Sequence, residues 1–164
     1  MQNIWVISGG RAGRGTTFEY QTSGEAALAR AGALESAARQ EFEELDERVD
    51  LDCTWEEYCE IQDLMPYEVL RVPHVESLNP HDDNIAPTGE VPSGRLWIIL
   101  EDGRPEEFRG YERTEADAID TVWSRNWARW EYFIEGGETS FAEFKVAFGG
   151  PYDYAPVDPG PAQA

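Results

Sequence analysis

The sequence predicts an α+β protein made of two duplicated β-β-α-α units. They are related by a pseudo-twofold and form one domain, with a mostly antiparallel sheet packed against long helices. Three observations carry this expectation. IWVIS at 4–8 and LWIIL at 96–100 are apolar runs of strand length that match at an offset of 92, with Trp97 answering Trp5. From Tyr20 against Tyr111, an ungapped offset of 91 aligns Ala27 with Ala118, Leu28 with Ile119 and Phe42 with Phe133. SFAEF at 140–144 then matches TWEEY at 54–58 at an offset of 86, which a shorter second loop explains.

The first unit spans residues 1–63. IWVIS reads as a strand, GGRAGRG (9–15) as a glycine-rich turn and TTFEYQT (16–22) as the returning strand. Ser23 caps a long helix whose apolar positions Leu28, Ala31, Leu34, Ala38, Phe42 and Leu45 recur every three or four residues. Beyond a loop at 49–53, Thr54 and Glu57 form a capping-box pattern for a short helix ending near Gln62. Residues 64–94 hold five of the ten prolines and read as an extended connector, with YEVLRV its one strand-like run.

The second unit spans residues 95–149. EDGRPEE supplies its turn, FRGYERT its second strand, and Ser140 with Glu143 its second capping box. Residues 150–164 carry four more prolines and are expected to form a flexible tail. The first long helix is rich in alanine and the second carries Trp123, Trp127 and Trp130, so grooves on one are expected to take knobs from the other in a shared core.

Size agrees with this architecture. A chain of 164 residues with 41% hydrophobic residues and 20 aromatics fits one domain, which at this length buries roughly 70% of its unfolded surface. The apolar runs are too short to span a bilayer, and no secretory leader pattern opens the chain, so the expected location is the cytoplasm, that of a host cell if a phage encodes the protein. Cys53 and Cys59 are expected to be free thiols in a reducing compartment.

Charge is the functional signal. The net charge is −20, and residues 41–63 alone contribute −10 through Glu41, Glu43, Glu44, Asp46, Glu47, Asp50, Asp52, Glu56, Glu57, Glu60 and Asp63 against Arg48. Residues 1–40, by contrast, sum to +1. Salt adaptation would spread carboxylates over the whole surface, and such a concentration implies a use for the field it makes. The field repels nucleic acid and anionic membranes and favours basic partners.

Other chemistries lack their constellations. Gly9, Gly10, Gly13 and Gly15 have no Walker lysine and lead into a strand, so a hairpin turn is the better reading, with Arg11 and Arg14 at its tip. Cys53, Cys59, His74 and His81 are spaced unlike zinc ligands, and His81-Asp82-Asp83 lacks the calcium-loop pattern. No metal or other cofactor is therefore expected. No base, nucleophile and orienting group come together in sequence, so no catalytic residue is assigned. The tryptophans read as core, with Trp127 the one expected to reach a partner.

Helical carboxylates three or four positions apart lie roughly 5 to 6 Å from each other, which approximates phosphate spacing along a strand. The expected function is an acidic inhibitor that blocks the basic nucleic-acid site of a defence or nucleic-acid-processing complex. In composition and size alone the chain resembles DNA-mimicking inhibitors of the anti-restriction and anti-CRISPR type; it carries no family motif of theirs. The alternatives are an interaction module such as an immunity protein or adaptor for a basic partner, then a salt-adapted soluble protein or a small hydrolase. Because two units in one chain already imitate a dimer, a monomer fits as well as a homodimer.

Overall fold

The computed structural model describes residues 2–11, 18–75, 90–105, 109–133 and 152–161. Among these the chain is α+β, with three helices and seven strands. The described residues divide between two compact units. The N-terminal unit takes in Ile4–Arg71 and Pro159–Ala164; the C-terminal unit takes in Met1–Asn3 and Val72–Asp158.

In the N-terminal unit, strand β1 (Ile4–Arg11) pairs antiparallel with β2 (Glu19–Gln21), setting Trp5 opposite Gln21 and Val6 opposite Tyr20. Strand β3 (Leu64–Val72) flanks β1 on its other side. Gly9 and Gly10 lie within β1 and not in the expected turn. The reason is tertiary: a Cβ on Gly9 would stand 2.6 Å from the Pro66 carbonyl oxygen, so only glycine lets β3 come this close. Residues 12–17, which hold the rest of the glycine loop, lie outside the described residues.

Helix α1 (Gly24–Val49) begins where the sequence places it. Ser23 is extended, and its side chain accepts from the Ala26 N–H at 3.2 Å. It ends at Asp50, a left-handed residue whose N–H donates to the Asp46 carbonyl at 2.8 Å. Helix α2 (Trp55–Gln62) carries both halves of the expected capping box, Glu57 N–H to Thr54 Oγ1 at 3.2 Å and Thr54 N–H to Glu57 Oε2 at 2.8 Å.

In the C-terminal unit, β4 (Leu96–Glu101) pairs along one edge with β5 (Arg104–Pro105) and β6 (Tyr111–Glu112). Asp102 and Gly103 turn the chain between β4 and β5, both at positive φ, as a two-residue hairpin turn requires. Helix α3 (Glu115–Phe133) starts at Thr114, whose Oγ1 accepts from the Asp117 N–H at 3.1 Å. SFAEF and its capping box lie outside the described residues, as do His81, Asp82 and Asp83.

Trp97 stands opposite Glu112 and Ile98 opposite Tyr111. Ile7, Ala27 and Ala31 form a buried cluster with Trp5 against it; Ile99, Ala118 and Val122 form another with Trp97 against it. Within the N-terminal unit, Ala27 and Ala31 of α1 receive Ile7 and Trp5 from β1.

The C-terminal region differs most from expectation. Residues 152–159 form strand β7 (Tyr152–Pro159), antiparallel to β4 from Leu96–Val157 to Glu101–Tyr152, in place of a flexible tail. Apolar contacts on both of its faces outweigh its prolines. Tyr152 and Tyr154 pack on the Ile99 cluster, Val157 is fully buried, and Asp158 meets Arg95 at 2.8 Å. The expected connector likewise opens as strand, since β3 begins at Leu64.

Candidate functional site

The acidic stretch folds into the end of α1, a short loop and α2. What holds the two helices together is aromatic. Phe42 from α1, itself only 9% exposed, lies 5.6 Å from the Trp55 ring and 4.9 Å from the Tyr58 ring, centroid to centroid. At about 100° per residue, Glu43, Glu44 and Glu47 fall within an arc opposite Phe42. By the same count Glu56, Glu57 and Glu60 fall opposite the side of α2 that carries Trp55, Tyr58 and Cys59. The carboxylates thus form two rows, one per helix.

Ten of the eleven acidic residues are exposed and Asp46 is half-buried. Five of them have work within the fold. Asp46 accepts the Leu51 N–H at 2.9 Å, and Glu57 completes the capping box. Asp50, Asp52 and Asp63 occupy left-handed backbone positions, the first and last as helix C-caps, a conformation that aspartate tolerates better than most residues. Glu44 accepts from Gln40 Nε2 at 2.9 Å. The carboxylates of Glu41, Glu43, Glu47, Glu56 and Glu60 have no hydrogen-bond or ion-pair partner among the described residues.

That absence of neutralisation is local. Ion pairs among the described residues join Glu19 to Arg30, Glu112 to His74, Asp158 to Arg95, Glu101 to Arg109 and Glu90 to Arg113. None involves residues 41–63. Arg48, the cation of that stretch, is exposed in the last turn of α1, where it faces the negative end of the helix. Trp127 is half-buried on α3 and belongs to the C-terminal unit.

Apolar side chains accompany the carboxylates, and these the sequence reading missed. Ile61 is 70% exposed, beside Glu60 on α2; Val49 and Met65 are also exposed, at the end of α1 and just beyond α2. The helical count held the signal for Ile61, since Trp55, Tyr58, Cys59 and Gln62 already fill the inner side. Both cysteines are half-buried free thiols. Burial, and then neighbouring carboxylates, push their pKa values up, which disfavours the reactive thiolate.

A second polar cluster lies in the C-terminal unit. His74 and Glu112 are buried 3.6 Å apart, and Thr121 Oγ1 donates to Glu112 Oε1 at 2.8 Å. This bond ties β6 to α3. Asn126, 4% exposed, holds β7 through bonds to both the Tyr152 carbonyl (2.9 Å) and N–H (3.0 Å). Among the described residues no cluster of three metal-ligating side chains occurs, and no helix is long and apolar enough to cross a membrane. No protein-family model, curated protein or solved structure matches the chain.

Proposed function

We propose that this chain is an acidic inhibitor that occupies the basic nucleic-acid site of a partner protein, its helical carboxylates taking the place of phosphates. The observation that carries this reading is the row of exposed, unneutralised glutamates on α1 and α2, in a chain whose arginines neutralise carboxylates elsewhere. Carboxylates without partners raise the cost of folding through mutual repulsion, a cost that a cationic partner relieves on binding. A nucleic-acid site offers several cations arranged for a polyanion.

The experiment is capture of partners on the immobilised chain from a lysate of its natural host, with and without excess nonspecific duplex DNA. Nucleic-acid-binding proteins should be retained and then released by the duplex, and a Glu43→Lys, Glu44→Lys, Glu47→Lys triple variant should retain none. Retention that is indifferent to duplex and survives the triple variant would end the phosphate-mimic reading. Such an outcome would favour the second reading, a conventional protein interface anchored on exposed Ile61, Val49 and Met65.

The matched strand registers and core clusters support one further reading, that both units are copies of a single β-β-α-α ancestor. On that view the acidic rows are a specialisation of one copy, since Trp5 and Trp97 serve the same packing role in each.

A further inference from the structure

We propose that the cavity enclosed by α1, α2 and the start of β3 receives one arginine side chain of the basic partner, an anchor for what the surrounding carboxylates attract. This rests on the reading of α1 and α2 as a surface for a basic protein, and it adds the residue type that the surface selects.

The cavity has a volume of about 140 Å³ and lies wholly within the N-terminal unit. Ala38, Trp55, Cys59, Met65 and Tyr67 line it, and Glu35 is its one charged lining residue. A space near 150 Å³ admits a planar group of benzene size, and a guanidinium is smaller. Its shape is partly fixed by Gly10, at φ +88°, where a Cβ would come within 3.1 Å of the Tyr67 hydroxyl.

Three features select the occupant. The walls are apolar and aromatic, which suits the methylene stem of a long cationic side chain. Glu35, exposed at the cavity and without an ion-pair partner among the described residues, sets a negative charge beside it. Trp55 already carries one guanidinium, with Arg39 Cζ 5.8 Å from the ring centroid, so the ring takes that group; the like charge of Arg39 is offset by Glu35 and the acidic rows. An anion is excluded by Glu35 and by the acidic helices. Lysine is disfavoured because its ammonium is compact and strongly hydrated, whereas a guanidinium sheds water easily and stacks on aromatic faces.

Cys59 makes the occupancy measurable. Wild-type protein would be treated with N-ethylmaleimide in the presence of hexa-arginine or hexa-lysine, with the modification of Cys59 and Cys53 read separately by mass spectrometry. Binding of each peptide would be measured in parallel by fluorescence anisotropy. Saturating hexa-arginine should slow modification of Cys59 by about fivefold while hexa-lysine, though bound, slows it less than about twofold. Glu35→Gln should remove most of the arginine-specific protection and weaken binding of hexa-arginine more than binding of hexa-lysine.

Hexa-arginine that binds without protecting Cys59 overturns the anchor and leaves the acidic surface standing. Equal protection by both peptides overturns the choice of arginine. If neither peptide binds at physiological salt, the surface reading fails and takes the anchor with it.

Discussion

Each unit sets a helix against an antiparallel strand pair, yet the two treat charge in opposite ways. In the C-terminal unit Glu101 meets Arg109, and Glu112 lies buried between His74 and Thr121. Asp158 sits against Arg95 through two bonds of 2.8 Å. The N-terminal unit pairs Glu19 with Arg30 near its strands and then leaves two rows of helical carboxylates facing solvent. Its cohesion comes from the seam of Phe42, Trp55 and Tyr58 beneath them. A scaffold can therefore carry a dense unneutralised charge where aromatic burial replaces ion pairing as the local glue.

The strongest way to break this comparison is to remove the seam. Phe42→Ala should destabilise the chain by about 3 to 4 kcal/mol, the cost of emptying an aromatic site, measured by urea unfolding. A loss below about 1 kcal/mol would mean that the helices do not depend on the seam. On the C-terminal side, Asn126→Ala strands two backbone groups of Tyr152 and should cost about 2 to 3 kcal/mol, read the same way. Thr54→Ala removes half of the α2 capping box and should cost about 1 kcal/mol, with a fall in helical circular dichroism as the second readout.

Two smaller effects sharpen the contrast. Raising the salt concentration should stabilise the wild-type chain by screening the helical rows, and Glu43→Gln, Glu44→Gln, Glu47→Gln should flatten that dependence. A salt response unchanged by these substitutions would place the repulsion elsewhere. The Arg95 guanidinium holds the Asp158 carboxyl below the usual carboxylate range. A pKa lowered in the folded state contributes stability that is present above the unfolded value and is lost as pH falls through the folded one. Asp158→Asn should therefore make the loss of stability between neutral and strongly acid pH slightly shallower; an identical pH profile would count against the pair.

Much of the fold was legible because its signals are local. Ser23, Thr54 and Glu57 act on residues three positions away, and the matched runs around Trp5 and Trp97 are contiguous. What was not legible depends on distant chain. Gly9 reads as a turn residue until Pro66 is known to press on it, and the strand formed by Tyr152, Tyr154 and, on its other face, Val157 is masked by four prolines until β4 is there to pair with it. The acidic rows could be read from helical spacing alone. The duties of Asp46, Asp50, Asp52 and Asp63 could not, because they depend on where each helix stops. The cavity needed Glu35, Trp55 and Tyr67 brought together from three elements.

The aspartates at the helix ends have a consequence of their own. Asp50, Asp52 and Asp63 stand where the backbone favours glycine, at φ near 50°. Glycine there would ease the chain locally and would also erase two negative charges from the bend between the helices and one from the far end of α2. A directed search for heat-resistant variants should therefore drift toward Asp50→Gly, Asp52→Gly and Asp63→Gly and thin the acidic surface as it does so.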